Sequence, residues 1–127
     1  MARALQALVA SSDPEIRETL KGMLARGGME ALFSSTAEEA EAILFRHPIS
    51  LVFCEERLPD GSFRDVLGEV KRSARLVPVV VVSRLGDWDK YLEALRLGVH
   101  DYIAFPFQRA EVESTINQAL SKLSVFA

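Results

Sequence analysis

Ser50-Leu51-Val52-Phe53-Cys54-Glu55-Glu56-Arg57-Leu58-Pro59-Asp60-Gly61 is the stretch on which the fold turns. An apolar run of strand length ends in the carboxylate of Glu55. Leu58-Pro59-Asp60-Gly61 then reverses the chain, because Pro fixes φ and Gly admits φ > 0. A short continuous apolar run bounded by such a turn reads as a strand buried on both faces. Glu55 therefore stands at the carboxyl end of a strand. In open parallel α/β sheets that edge is where ligands and chemistry gather.

Working outward, the same alternation repeats. Ala7-Leu8-Val9-Ala10 reads as a first buried strand, followed by Asp13 as a helix N-cap and Pro14 at the first helical position. Ile16, Leu20, Met23 and Leu24 recur at helical spacing until Gly27-Gly28. Met29 to Phe33 is a second strand, and Thr36 with Glu39 forms the capping box of a helix carrying Ala40, Ile43 and Leu44 and ending at Pro48. Beyond the central turn, Phe63, Val66, Leu67 and Val70 give the apolar stripe of a third helix, with Lys71-Arg72 near its carboxyl end, where cations complement the helix dipole.

Val77 to Val82 is β-branched throughout except for Pro78 at its start, and Ser83 ends it. Gly86-Asp87 opens a fourth helix in which Tyr91, Leu92 and Leu95 are spaced for burial and Gly98 supplies the stop. Asp101-Tyr102-Ile103-Ala104 is a fifth strand, and Val112, Ile116, Ala119, Leu120 and Leu123 mark a fifth helix. Five apolar strands alternating with five helices imply a three-layer, doubly wound parallel sheet covered by helices on both faces. Pattern alone leaves the strand order open. With neither repeat nor linker, 127 residues form one domain with its core at about 5–123.

Composition narrows the function. The formal charge of −3 provides no broad basic field, so direct nucleic-acid binding is not expected. No apolar run is long enough to span a bilayer, and the amino-terminal residues make a poor secretion signal, so the expected location is the cytoplasm. Cys54 is the only cysteine, which excludes an internal disulfide and a cysteine-based zinc site; its apolar neighbours make it a core residue. Neither Gly-x-Gly-x-x-Gly nor a Gly-Lys-Ser/Thr loop is present to cradle a nucleotide. His47 and His100 match no ligand spacing and are placed at neither a metal nor a serine nucleophile.

Four blocks carry a resemblance: Leu8 to Arg17, Leu51 to Gly61, Pro78 to Ser83 and Gly98 to Phe107. In order and spacing the whole chain resembles the receiver domains of two-component response regulators, the CheY-like family. The resemblance implies a flavodoxin-like sheet of order 2-1-3-4-5. It also implies phosphoryl transfer to an aspartate after strand 3. Magnesium is held there by two acids after strand 1, with a Ser or Thr after strand 4 and a Lys after strand 5 on the phosphoryl oxygens. Such chemistry surrounds the transferring group with cations.

This chain departs at those positions. Ser11 and Ser12 align with the acidic pair, Glu55 with the acceptor and Phe105 with the lysine; Ser83 and Pro106 remain. Asp13 keeps an acid beside the lost pair, and its cap role explains it more simply. The expectation is a degenerate receiver, or pseudo-receiver, without catalytic residues or a cofactor and with its magnesium site lost. It would act by protein–protein contact or dimerisation in signal transduction or transcription control. Glu55 is either an internal tie that accepts hydrogen bonds from Ser11, Ser12 or Ser83, an imitation of the phosphorylated state, or a tolerated relic.

Two alternatives from other classes stand beside it. One is an unconventional phosphoacceptor with a metal site improvised from Asp13, Glu55 and Glu56; the other is a small-ligand module in the vacated pocket near Phe105, Tyr102 and Ser83. Ser83 and Tyr102 match the family's switch pair, although Tyr102 could also pack statically on the fourth helix. Phe105-Pro106 matches a peptide that is usually cis, with the Phe105 ring over the vacated lysine position. Trp88, Tyr91, Arg96, Gln108, Arg109 and Glu113 mark the family's usual output face of helix 4, strand 5 and helix 5, for a protein partner or a second copy. The competing reading of Trp88 is a core ring capping the sheet edge. An output domain, if any, lies outside these residues, and the chain is either a stand-alone regulator or the first part of a longer one.

Overall fold

The computed structural model describes residues 4–73 and 75–125, with side chains described through residue 121 apart from residue 74. Five parallel strands form one sheet: β1 (Leu5–Ala10), β2 (Met29–Ser34), β3 (Ile49–Glu55), β4 (Val79–Ser83) and β5 (Asp101–Ala104). Their order is 2-1-3-4-5, as the resemblance implied. Between them run α1 (Pro14–Arg26), α2 (Ala37–Arg46), α3 (Phe63–Arg72) and α4 (Trp88–Leu97), with α5 (Arg109–Val125) last.

Strand residues point alternately to opposite faces, and the core divides accordingly. Ala7, Val9, Leu51, Phe53, Val80 and Val82 pack with Ile16, Leu20 and Leu24 of α1 and with Val112, Ile116 and Ala119 of α5. Leu8, Ala10, Val52, Cys54, Val79 and Val81 pack on the other face with Ala40 and Leu44 of α2, Val66 and Val70 of α3, and Ala94 of α4. Because β1 and β3 are covered on both sides, their inner residues are fully buried, and the runs read as continuously apolar.

Several local expectations hold. Asp13 caps α1, its carboxylate accepting from Glu15 N and Ile16 N. Gly27 ends that helix, and Gly28 follows with φ 77°. Asp87 caps α4, and Gly98 closes it with φ 106°. The Phe105-Pro106 peptide is cis.

Others are refined. Only half of the expected box at α2 forms: Thr36 Oγ1 accepts from Glu39 N, but the Glu39 carboxylate accepts from Ser35 N. In its place Asp60 reaches over from the central turn and accepts from Ala37 N at 2.7 Å and Glu38 N at 3.0 Å. That turn is itself a short antiparallel hairpin, Arg57–Leu58 with Gly61–Ser62. Ser62 and Asp65 then supply a complete capping box for α3. On α4 the expected stripe of Tyr91, Leu92 and Leu95 is only partly covered, and Ala94 is the residue that is buried. The fourth helix lies at the sheet's β5 edge, where there is less to pack against. Leu123, expected on the buried stripe of α5, lies outside the residues whose side chains are described.

Candidate functional site

The carboxyl ends of β1, β3, β4 and β5 converge at one edge, and the residues singled out there meet in two groups. The first surrounds Glu55. Its Oε1 accepts from the Ser11 hydroxyl, from Ser12 N at 3.0 Å and from Asp13 N at 3.2 Å. Ser11 is buried, and its Oγ also accepts from Asp13 N. One carboxylate oxygen thus accepts from a hydroxyl and two backbone N–H groups of the β1–α1 turn, a set of donors that stabilises a charge without metal. Arg17 steadies that turn from α1: its Nη1 donates to Ser11 O and to Ser35 Oγ, and its guanidinium lies over the Phe33 ring.

The second group surrounds Tyr102. Its hydroxyl donates to Glu56 Oε2 at 2.9 Å and lies 3.4 Å from Leu85 O. Lys90 Nζ stands 3.5 Å from the other oxygen of Glu56. The ring is buried, edge-on to Tyr91. Burial pushes its phenol above the ordinary value; the Ser83 hydroxyl opposes this and Glu56 adds to it. Ser83, an expected donor to Glu55, turns the other way: its Oγ accepts from Leu85 N and donates to Leu85 O, both at 3.1 Å. A residue ending a strand and starting a loop satisfies the nearest backbone groups first.

Arg84 was not legible as a site residue, and it carries two ion pairs at this edge of the sheet. Its Nε donates to Asp13 Oδ2 at 2.7 Å and its Nη2 to Glu15 Oε1 at 2.8 Å. Its guanidinium lies 4.6 Å from the centre of the Phe105 ring. That ring sits edge-on to Phe107 and carries the cation above it. The Arg84 bond, chiefly, holds the Asp13 carboxyl below its usual range, with help from the capped N–H groups of Ile16 and Glu15. The signal available in the sequence was only its place, immediately after a strand-ending serine.

Magnesium, which the resemblance implies, needs several hard anionic oxygens turned to one point. The residues present do not fit it. Ser11 and Ser12 carry no charge, Glu55 Oε1 already accepts three hydrogen bonds, Asp13 is held by Arg84 and its own helix, and Glu56 faces Tyr102 and Lys90. Among the described residues, no three His, Cys, Asp or Glu side chains group to hold a metal ion.

The remaining singled-out residues lie on α4 and α5. Trp88 is 69% exposed and stacks on Tyr91 with ring centres 5.3 Å apart, so it is not a core ring. A shallow groove of about 340 Å³ runs between Trp88, Tyr91, Tyr102, Ala104 and Glu111. Of the three residues expected around the vacated pocket, only Tyr102 lines this groove; Ser83 and Phe105 do not. Arg96 and Gln108 are exposed, and Arg109 pairs with Glu113 along α5. Among the described residues no helix is long and apolar enough to cross a membrane.

Residues 7–117 match the family model described as the response regulator receiver domain. The response regulator protein PilR of Pseudomonas aeruginosa is 29% identical over 115 residues, which cover 91% of this chain. The response regulator protein FleR of the same organism is 31% identical over 121 residues, 94% of the chain. The chain spans 26% of the length of each of these relatives. Among solved structures, a response regulator receiver domain protein from Clostridium thermocellum superposes with a TM-score of 0.86 at 24% identity, covering 97% of this chain and 99% of that one.

Proposed function

The chain belongs to the response regulator receiver family of two-component signalling, and from that premise we propose that it is a pseudo-receiver: a domain that signals through protein contacts without being phosphorylated. The observation that carries this reading is the set of three hydrogen bonds that converge on Glu55 Oε1. The carboxylate at the acceptor position is tied to Ser11, Ser12 and Asp13, and no acid pair accompanies it. Phosphoryl transfer depends on positioning and on cations around the phosphoryl oxygens. With Phe105 in the lysine position and a site unsuited to magnesium, the two cations that this chemistry uses are missing, and the Arg84 guanidinium is committed to Asp13 and Glu15. The domain is accordingly neither an enzyme nor a metal protein. A single conformer is held by the Glu55 tie and by the Tyr102–Glu56 bond.

Its output surface is the face of α4, β5 and α5. Trp88 and Tyr91 form an exposed aromatic pair beside a groove, and exposed aromatics favour protein contacts. Arg96 and Gln108 are exposed on its helices, whereas Glu113, paired with Arg109, lines the groove between α5 and the end of α1 beside Met23 and Arg26 and so falls outside this face. The partner is a protein or a second copy of this chain in the cytoplasm, with any output domain beyond these residues.

Titration with magnesium and beryllofluoride, a stand-in for the acyl phosphate, tests the reading through amide chemical shifts. The expected result is no saturable shift at Ser11, Glu55 or Ser83. Saturable shifts there that spread to Tyr102 overturn it, and an unconventional acceptor site built on Asp13, Glu55 and Glu56 replaces it.

A further inference from the structure

Arg84 touches three parts of the chain that are far apart in sequence. Its Nε and Nη2 bind Asp13 and Glu15 at the start of α1. The flat face of its guanidinium covers Phe105, just beyond β5. Its own backbone belongs to the loop between β4 and α4. We infer that Arg84 is a strap with a built-in counter-ion: it supplies the fixed positive charge that neither a metal nor a lysine provides here, and it holds the β4–α4 loop closed over the pocket. The inference rests on the pseudo-receiver reading and specifies how that pocket's state is set.

The chemistry favours arginine for the task. A guanidinium is planar, permanently charged and able to donate from two nitrogens while stacking on a ring; an ammonium is a point charge that cannot do all three. Phe105 in the lysine position supplies the ring. Asp13 serves twice, as the α1 cap through Oδ1 and as the strap's anchor through Oδ2. Beyond the strap, Ser83 Oγ closes on Leu85 and Asp87 caps α4, so the loop leads directly into the helix that carries Trp88 and Tyr91. Holding Arg84 therefore holds the start of the output face.

The test is amide hydrogen exchange of the whole chain, without any phosphodonor, in Arg84→Gln, Arg84→Lys and Asp13→Asn. Asparagine still caps α1, so Asp13→Asn removes the Asp13 ion pair, keeps the one to Glu15 and leaves the helix start intact. Two ion pairs and a cation–π contact at a half-exposed site correspond to about fivefold or more in the opening equilibrium. The expected result is that much faster exchange at Leu85 and Tyr91 in Arg84→Gln, an intermediate rate in Arg84→Lys, and little further change when Asp13→Asn is added to Arg84→Gln. The amide of Val9, in the centre of the sheet, keeps its rate. Unchanged exchange at Leu85 and Tyr91 overturns the strap, and so does an equal acceleration at Val9, which would mean general destabilisation. Beryllofluoride binding overturns the pseudo-receiver reading through a different readout, so the two failures are distinguishable.

Discussion

The hydroxyl of buried Ser11 donates to Oε1 of Glu55, joining the end of β1 to the end of β3 across 44 positions of sequence. Ser11→Ala removes this donor and leaves the N–H groups of Ser12 and Asp13. A hydrogen bond to a charged group contributes about 1.5–3 kcal/mol, and with two donors remaining the loss should be about 1–2 kcal/mol. Urea unfolding should show a lower midpoint at unchanged slope. A loss below about 0.3 kcal/mol would mean that Glu55 finds water instead and ties nothing.

Asp60 gives an acid-sensitive contact between the central turn and the start of α2. Its carboxylate accepts from Ala37 N and Glu38 N, and those bonds hold its pKa below the ordinary value. A carboxyl with a depressed folded pKa stabilises the protein fully above its unfolded pKa of about 3.9, and that contribution fades as pH falls from there through the folded value. Asp60→Asn should therefore lower Tm at pH 6, and the gap from the native protein should close as pH drops below about 4. A gap independent of pH would assign the effect to shape and not to charge.

Tyr102 has the opposite sign. Burial raises its phenol, and ionisation would set a second negative charge against Glu56. The stability from a raised folded pKa is fully present below the unfolded value of about 10 and is lost as pH rises through the folded one. Tyr102→Phe removes the bond to Glu56 and should cost about 1–2 kcal/mol near neutrality. It should also abolish the alkaline loss. Of the two tyrosines, Tyr102 should titrate above a free phenol when absorbance is followed against pH.

The fold was legible because its signals are local. Period, caps and stops placed the five strands and all five helices, and buried runs such as Leu51 to Cys54 could only be two-sided strands. The order of the strands came from the resemblance, not from pattern. The positions of Ser11, Ser12, Glu55 and Phe105 in the site came from the resemblance, and the structure brings Ser11, Ser12 and Glu55 together. Other contacts were not legible. Arg84 binds Asp13 and Glu15 across about seventy positions, and Asp60 caps a helix that precedes it in the chain. Such pairings depend on where two loops arrive in space, which no spacing rule encodes. The burial expected along α4 is only partial for a related reason: helical period identifies a face, but the cover over that face comes from the rest of the molecule.

Gly98 tests a helix stop whose backbone demands glycine. Its φ of 106° is a conformation that L side chains rarely adopt, and an added Cβ would come within 3.4 Å of Lys71 Nζ. The Lys71 ammonium there donates to Leu97 O and closes the end of α4. Gly98→Ala should cost about 1–2 kcal/mol, chiefly from the left-handed backbone, read as a lower urea midpoint. Lys71 can yield, so the contact itself adds little.

Trp88 separates stability from output. A ring 69% exposed removes little apolar surface from water, and its stack on Tyr91 is the main contact at stake. Stacked aromatic pairs contribute about 0.5–1.5 kcal/mol, and at a solvent-facing helix start the lower end applies. Trp88→Ala should therefore shift stability by less than about 1 kcal/mol. If the aromatic pair forms the contact surface, the same change should weaken self-association or partner binding by far more, because interface energy concentrates in aromatic anchors. Sedimentation across a range of concentrations reads the first, and urea unfolding of the same sample provides the stability control. A variant that loses several kcal/mol of stability but keeps its mass at every concentration would put the ring's role inside the molecule and move the output surface elsewhere.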